Sequence, residues 1–192
     1  SRFCIMATGC LSAANTPDFP GIDDYSGKLL HTGEWPKTDI DFTGKTVGII
    51  GTGSSAIQSI PLIAEQAKHL YVFQRTPQYS VPAANAPTNL DEEKDIKSRY
   101  ADFRADCASR VTGYEMKLNE QSALDATAAE LKEEYERRWS DGGLMFLGGF
   151  SDILVDSDAN ETAANFIREK INTIVKDPAI AKLLMPEHKV GC

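Results

Sequence analysis

Residues 46–75 read TVGIIGTGSSAIQSIPLIAEQAKHLYVFQR, and this stretch decides the fold. Thr46-Val47-Gly48-Ile49-Ile50 is apolar on both faces and rich in β-branched residues, the pattern of a parallel strand covered on either side. It runs straight into Gly51-Thr52-Gly53-Ser54-Ser55-Ala56. Ile57, Ile60, Ile63, Ala64 and Ala67 then recur at helical spacing, an apolar stripe suited to packing on a sheet, with Pro61 inside it as a source of kinking. Leu70-Tyr71-Val72-Phe73 reads as a second strand, so the order is strand, glycine turn, helix, strand. The expected fold class is α/β, a partial Rossmann-like dinucleotide-binding domain with one βαβ unit visible.

The turn carries the chemistry. Gly51 permits a tight exit from the strand, Gly53 lets the backbone approach a pyrophosphate, and small Ala56 lets the helix pack closely on the strand. The N–H groups at the helix start then face the phosphates, aided by the positive end of the helix dipole. About 20 residues on, a fold that prefers NAD places an Asp or Glu to accept hydrogen bonds from the ribose 2′-hydroxyl. This chain has Gln74 and Arg75 there. A guanidinium accepts no hydrogen bond but clamps a 2′-phosphate in bidentate fashion, so NADP(H) is expected over NAD(H). Thr76 is placed to add a hydroxyl donor. The plain alternative for both residues is a solvated surface position at a strand end.

Working outward, residues 2–7 form a short apolar run closed by Thr8-Gly9, as a strand ending in a turn would. From Ser12 to Asp41 Pro and Gly punctuate a stretch without periodicity, which reads as a linker. Beyond about Leu90 the texture turns helical, with Ile96, Tyr100, Phe103, Cys107 and Val111 on one face of an amphipathic helix. Leu131, Tyr135 and Trp139 suggest a second helix, and Ile167, Ile171, Ile174 and Val175 a third, opened by a capping box of Asp158 and Glu161. Asp177-Pro178 stops that helix, and a short one follows to Leu184. The expected segments are 1–12, a strand end; 13–43, a linker; 44–89, the βαβ unit; and 90–192, a mainly helical insertion.

The 192 residues carry 20 Lys and Arg against 28 Asp and Glu, a net charge of −8 that disfavours nucleic acid and anionic membrane as partners. Hydrophobic residues at 42% and charged residues at 25% are the usage of a globular chain with a core. No apolar run reaches the ~20 residues of a membrane span, and no secretory leader opens the chain, so a cytoplasmic protein is expected. Cys4, Cys10, Cys107 and Cys192 have no metal-finger spacing and suit reduced thiols better than a disulfide framework. His69 and His188 lack ligand-spaced carboxylates or cysteines, so no metal is expected. Ser54 and Ser55 do not sit in the Gly-x-Ser-x-Gly elbow of a hydrolase. Met145, Phe146, Leu147 and Phe150, between glycine pairs, read as packing of the insertion or as an apolar flap.

Tyr25-Ser26-Gly27-Lys28-Leu29-Leu30-His31-Thr32-Gly33-Glu34-Trp35-Pro36 resembles the fingerprint of Baeyer–Villiger monooxygenases, Phe-x-Gly-x-x-x-His-x-x-x-Trp-(Pro/Asp), with Tyr25 in place of Phe. Ala7-Thr8-Gly9-Cys10-Leu11-Ser12 resembles the strand end by which flavin monooxygenases leave their FAD domain. Gly51 to Gln58 resembles the family's NADPH-binding glycine motif, and Val72 to Tyr79 its 2′-phosphate segment. These four motifs stand in family order, with the helical insertion behind them.

The resemblance implies an enzyme in which NADPH reduces FAD, O₂ reacts with the reduced flavin, and one oxygen atom is inserted beside a ketone carbonyl to give an ester or lactone. It implies cofactor binding by Gly51, Thr52, Gly53, Ser54, Ser55, Gln58, Arg75 and Thr76. His31 would couple the domains, or would simply hydrogen-bond linker backbone; Leu11 matches a position near the substrate pocket. No catalytic residue is assigned within the chain, since the FAD glycine motif and the family's active-site Arg are not found in it. The chain is therefore expected to be the middle of such an enzyme, with the oxygenation chemistry on either side of it and the FAD domain supplied in cis or by the missing chain segments, and to turn nothing over alone. The rivals are a flavin monooxygenase acting on nitrogen or sulfur, and a non-catalytic NADP-binding module.

Overall fold

Parallel strands need a long crossover between them, and the stretch from Thr46 to Phe73 supplies one. In the computed structural model Thr46–Ile50 (β1) and His69–Phe73 (β2) pair in parallel, Thr46 opposite His69 and Ile50 opposite Phe73. The crossover is the helix Ser54–Gln66 (α1), which continues through Pro61. The described residues are 2–7, 9, 11–110, 112–115 and 118–191; expectations resting on Thr8, Cys10, Val111 and Cys192 fall outside them. The chain divides into two compact units, residues 1–75 and 76–192.

In the first unit the βαβ order is as expected, but the strands are not covered on both faces. Ile50, Tyr71, Val72 and Phe73 are exposed, and only Phe42 and Ile63 are buried among the unit's described hydrophobic residues. A two-stranded sheet with one helix has one layer to offer, so the outer positions stay open. Residues 2–7 form no strand: Phe3, Ile5 and Met6 are exposed. A strand needs a neighbour to satisfy its backbone groups, and no described strand pairs with this run. The linker is irregular apart from 3-10 turns at Ile22–Asp24 and Thr32–Glu34.

The second unit is helical: Leu90–Ser98 (α2), Tyr100–Ser109 (α3), Ala128–Asp141 (α4), Ser157–Ile174 (α5) and Pro178–Leu184 (α6). The single amphipathic helix expected from Ile96 onward is broken at Arg99, whose backbone (φ −118°, ψ 28°) leaves the helical region. The Arg99 N–H is shared between the carbonyls of Asp95 and Ile96, closing α2 there. The cap of α5 also differs from expectation. Asp156, not Asp158, accepts the N–H groups of Asp158 and Ala159, and Asp158 lies inside the first turn. Thr127 and Glu130 form a full capping box at α4.

The core joins α4, α5 and a 3-10 stretch at Gly143–Gly148. Tyr135 stacks on Phe146 with centroids 5.5 Å apart and meets Phe150 and Phe166 at 5.3 and 5.4 Å. Phe146 and Phe150 are thus core residues, which favours packing over a flap. Buried Arg138 donates to Glu134 at 2.8 Å and to the Met145 carbonyl at 3.0 Å, tying α4 to the 3-10 stretch. Gly142 has φ +76°, and a Cβ there would lie 2.6 Å from the Ala84 Cβ, so glycine is required.

Candidate functional site

β1 ends beside the end of β2, and the Gly51 N–H donates to the Phe73 carbonyl at 2.9 Å. This bond sets the glycine turn and the residues leaving β2 at one edge of the sheet. Gly51 has φ +98°, a conformation that disfavours any side chain. A Cβ added at Gly51 or Gly53 would meet no atom within 4 Å, so the backbone is open to an incoming group. Gly53 is extended (φ −72°, ψ −179°) and caps α1 without a side chain. The first intrahelical bond runs from Ile57 N–H to the Gly53 carbonyl, so the N–H groups of Ser54, Ser55 and Ala56 precede the ladder. No acidic residue stands in the first turn of α1 to compete for an anion. Extended backbone, uncapped N–H groups and glycine surface fit a pyrophosphate.

Ser54 and Ser55 are exposed beside this turn, and Thr52 is half-buried in it. The Gln58 amide instead donates to the Ser54 carbonyl at 2.7 Å, and the Ser59 hydroxyl to that of Ser55 at 2.7 Å. Both side chains brace the first turn. Exposed Arg75 follows β2 by two residues, on the same edge as the turn. Thr76, next in sequence, is the first residue of the second unit. Leu11 is exposed in a turn.

The linker residues make their own arrangement. His31 Nδ1 accepts the Gly33 N–H at 3.1 Å, and the His31 carbonyl accepts that of Glu34 at 2.9 Å, so the imidazole caps the 3-10 turn Thr32–Glu34. This is the backbone-bonded reading of His31. The Tyr25 ring lies over Gly27, where any Cβ would collide with it. Trp35 meets Phe42 with centroids 6.3 Å apart. Thr32, Trp35 and Phe42 face Ser55, Gln58 and Leu62 of α1 across an open groove of about 550 Å³. The groove is not predicted from the sequence; for His31 a bond to linker backbone is among the expectations, and His-x-Gly at a turn start is the signal that makes it a cap. The Asp41 carboxyl accepts the Thr43 N–H at 2.9 Å, and the Thr43 hydroxyl and N–H hold it below its ordinary value.

In the second unit, Arg168 donates to the Pro186 carbonyl at 2.9 Å, to Glu161 at 2.7 Å and to the Tyr79 hydroxyl at 3.1 Å. The Tyr79 hydroxyl donates onward to the His188 carbonyl at 2.7 Å. Burial pushes Tyr79 up from its ordinary value against the pull of Arg168. The node is fully used in holding the chain end. Among the described residues no group of three His, Cys, Asp or Glu could hold a metal, and no helix is long and apolar enough to cross a membrane. Cys4 and Cys107 are free thiols.

No family model matches the chain. A cyclohexanone 1,2-monooxygenase of Acinetobacter sp. is 44% identical over 97% of the chain and 35% of its own length. A Baeyer–Villiger monooxygenase of Pseudooceanicola batsensis is 40% identical over 97% of the chain and 34% of its own length. A phenazine N-monooxygenase of Lysobacter antibioticus is 37% identical over 97% of the chain and 35% of its own length. Among solved structures, OTEMO in complex with FAD and NADP superposes with a TM-score of 0.90 at 38% identity, over 96% of this chain and 36% of that one. The chain spans about a third of the length of the relatives it matches. In sequence and in fold, the chain is similar to a segment that makes up about a third of Baeyer–Villiger monooxygenases.

Proposed function

We propose that this chain is the NADPH-holding part of an FAD-dependent monooxygenase that converts ketones to esters or lactones with O₂. The observation that carries the reading is the shared edge: the Gly51 turn, the uncapped start of α1 and Arg75 all lie where β1 and β2 end. The N–H groups of Ser54 and Ser55 hold the pyrophosphate, with the Ser54 and Ser55 hydroxyls and Thr52 beside it. Gln58 keeps the first turn of α1 in shape through the Ser54 carbonyl. Arg75 clamps the 2′-phosphate, and Thr76 adds a hydroxyl. NADPH bound there supplies the reducing equivalents for FAD. The 192 residues contain no second glycine motif of the dinucleotide type, so no residue here is assigned to FAD, and the chain alone turns nothing over.

The test is Arg75→Ala in the full-length protein. A charge-assisted phosphate contact is worth roughly 1.5–3 kcal/mol, so the preference for NADPH over NADH should fall about tenfold or more. Equal loss for both cofactors would refute the selector role. A second reading, oxygenation of nitrogen, is favoured by the phenazine N-monooxygenase among the relatives. Offering the full-length protein a cyclic ketone and an aromatic N-heterocycle separates the two: an N-oxide without ester or lactone replaces the ketone reading and leaves the cofactor site standing.

A further inference from the structure

We infer that Tyr79 is a positioning residue for cofactor choice: its hydroxyl pins the segment that follows β2 and so sets where Thr76 stands toward a 2′-phosphate. The inference rests on the proposed reading of Thr76 as a phosphate donor and adds the residue that holds it in place. Three observations carry it, all within the second unit. The half-buried Tyr79 accepts at its hydroxyl from Arg168 at 3.1 Å and donates to the His188 carbonyl at 2.7 Å, and its ring meets that of His188 edge-on with centroids 5.2 Å apart. Arg168 is itself braced by the Pro186 carbonyl and by Glu161, so it offers a fixed donor. Further along, the Gly143 N–H donates to the Pro82 carbonyl at 2.7 Å, and Tyr79 and Val81 pack against the core.

The stretch 79–82 is thus held at both ends. Between Thr76 and Tyr79 stand only Pro77 and Gln78. Pro77 fixes its own φ and keeps Thr76 out of the helical region, which leaves Gln78 alone to take up slack. A ring pinned at 79 therefore leaves the residue at 76 little freedom. NADP⁺ and NAD⁺ differ only in the 2′-phosphate, so slack at Thr76 should weaken the first and spare the second. A role confined to folding predicts that both affinities fall together or that neither does.

The test is Tyr79→Phe, which keeps the packed ring and removes both hydroxyl bonds. In the 192-residue chain labelled with ¹⁵N, the order parameters of Gln78 and Ser80 should fall from the rigid range of about 0.85 toward about 0.6. In the full-length protein, calorimetric titration should show NADP⁺ bound roughly threefold to tenfold more weakly, the range that a hydrogen bond of ordinary strength spans, with NAD⁺ unchanged. In a Thr76→Val background the same substitution should cost NADP⁺ less than about twofold, because the residue it acts through is already lost. Unchanged order parameters overturn the proposal, as does equal weakening of both cofactors or a full loss of NADP⁺ affinity in the Thr76→Val background. Arg75→Ala separates the two failures: if it still acts on NADPH alone, the phosphate reading stands and only the tether at Tyr79 is refuted.

Discussion

The two units of this chain are opposites. Residues 1–75 carry nearly all of the motifs with recognisable chemistry and bury only Phe42 and Ile63 among their described hydrophobic side chains. Residues 76–192 carry only the tail of one, Thr76 to Tyr79, and bury Tyr135, Phe146, Phe150, Ile153, Phe166, Ile167 and Val190 around one centre. At roughly 1.5–3 kcal/mol for each large apolar side chain fully buried, the second interior outweighs the first several-fold. A dinucleotide turn asks for backbone geometry alone: a positive φ at Gly51, one bond to the Phe73 carbonyl, a bare helix start. Three neighbouring segments provide that without a core. Exposed Ile50, Tyr71, Val72 and Phe73 are the counterpart, an apolar surface of the sort that marks a place for other chain to pack.

Core truncation should expose the contrast most strongly. Tyr135→Ala removes a ring that touches three others and leaves the Thr162 hydroxyl, 2.6 Å away, without this partner. Its cost should be about 3–5 kcal/mol in urea unfolding, whereas Ile63→Ala in the thin first unit should cost about 2 kcal/mol or less. Similar losses would break the contrast. The same residue makes a pH prediction. Burial pushes the Tyr135 hydroxyl from 10.0 up to about 12, against the bond to Thr162 and with some help from Asp152. A group whose folded value is raised stabilises fully below its unfolded value, so this contribution holds up to about pH 10 and is lost as pH rises toward 12. Alkaline unfolding curves should fall less steeply for Tyr135→Phe, which has no proton to lose.

Next in size is Asn160→Leu. Asn160 is buried, donates to the carbonyls of Ile153 at 2.6 Å and Val190 at 3.0 Å, and accepts the Val190 N–H at 2.9 Å. Leucine strips all three and leaves buried backbone groups to pay desolvation of about 1–3 kcal/mol each, part of it relieved if the chain end lifts off. A total of about 2–3 kcal/mol is expected, with faster amide exchange concentrated at residues 187–191. Uniform acceleration across α5 would mean that Asn160 supports the helix itself, not the segment lying on it.

The same division explains what the sequence made legible. The βαβ unit and its turn are written within thirty residues, so periodicity and glycine placement sufficed. The break at Arg99 was hidden because the apolar spacing from Ile96 to Cys107 runs on unchanged, while backbone bonds to Asp95 and Ile96 close the helix. At the start of α5 the spacing of Asp158 and Glu161 pointed to a capping box, but the cap used is Asp156, two residues earlier. Contacts such as Arg168 with Tyr79, 89 residues apart, have no local trace. The covered strand misled for another reason: apolar faces state what β1 and β2 would bury, and this chain brings one helix to them.

The smallest expected effect tests whether the first unit has any specific packing away from the turn. Tyr25 is the one departure from the family fingerprint, its ring lies over Gly27, and it is still exposed. An exposed ring can swing aside, so Gly27→Ala should cost only about 0.5–1 kcal/mol despite the collision that a rigid ring would impose. Tyr25→Phe removes the hydroxyl but keeps the ring over Gly27 and should change stability by less than about 0.5 kcal/mol. If ring and glycine fit each other, the Gly27→Ala cost should vanish once Tyr25→Ala is already present, a coupling read from the double-mutant cycle. A cost that survives in that background would locate it in the backbone at residue 27, and the aromatic at 25 would then be packed for a surface that lies elsewhere.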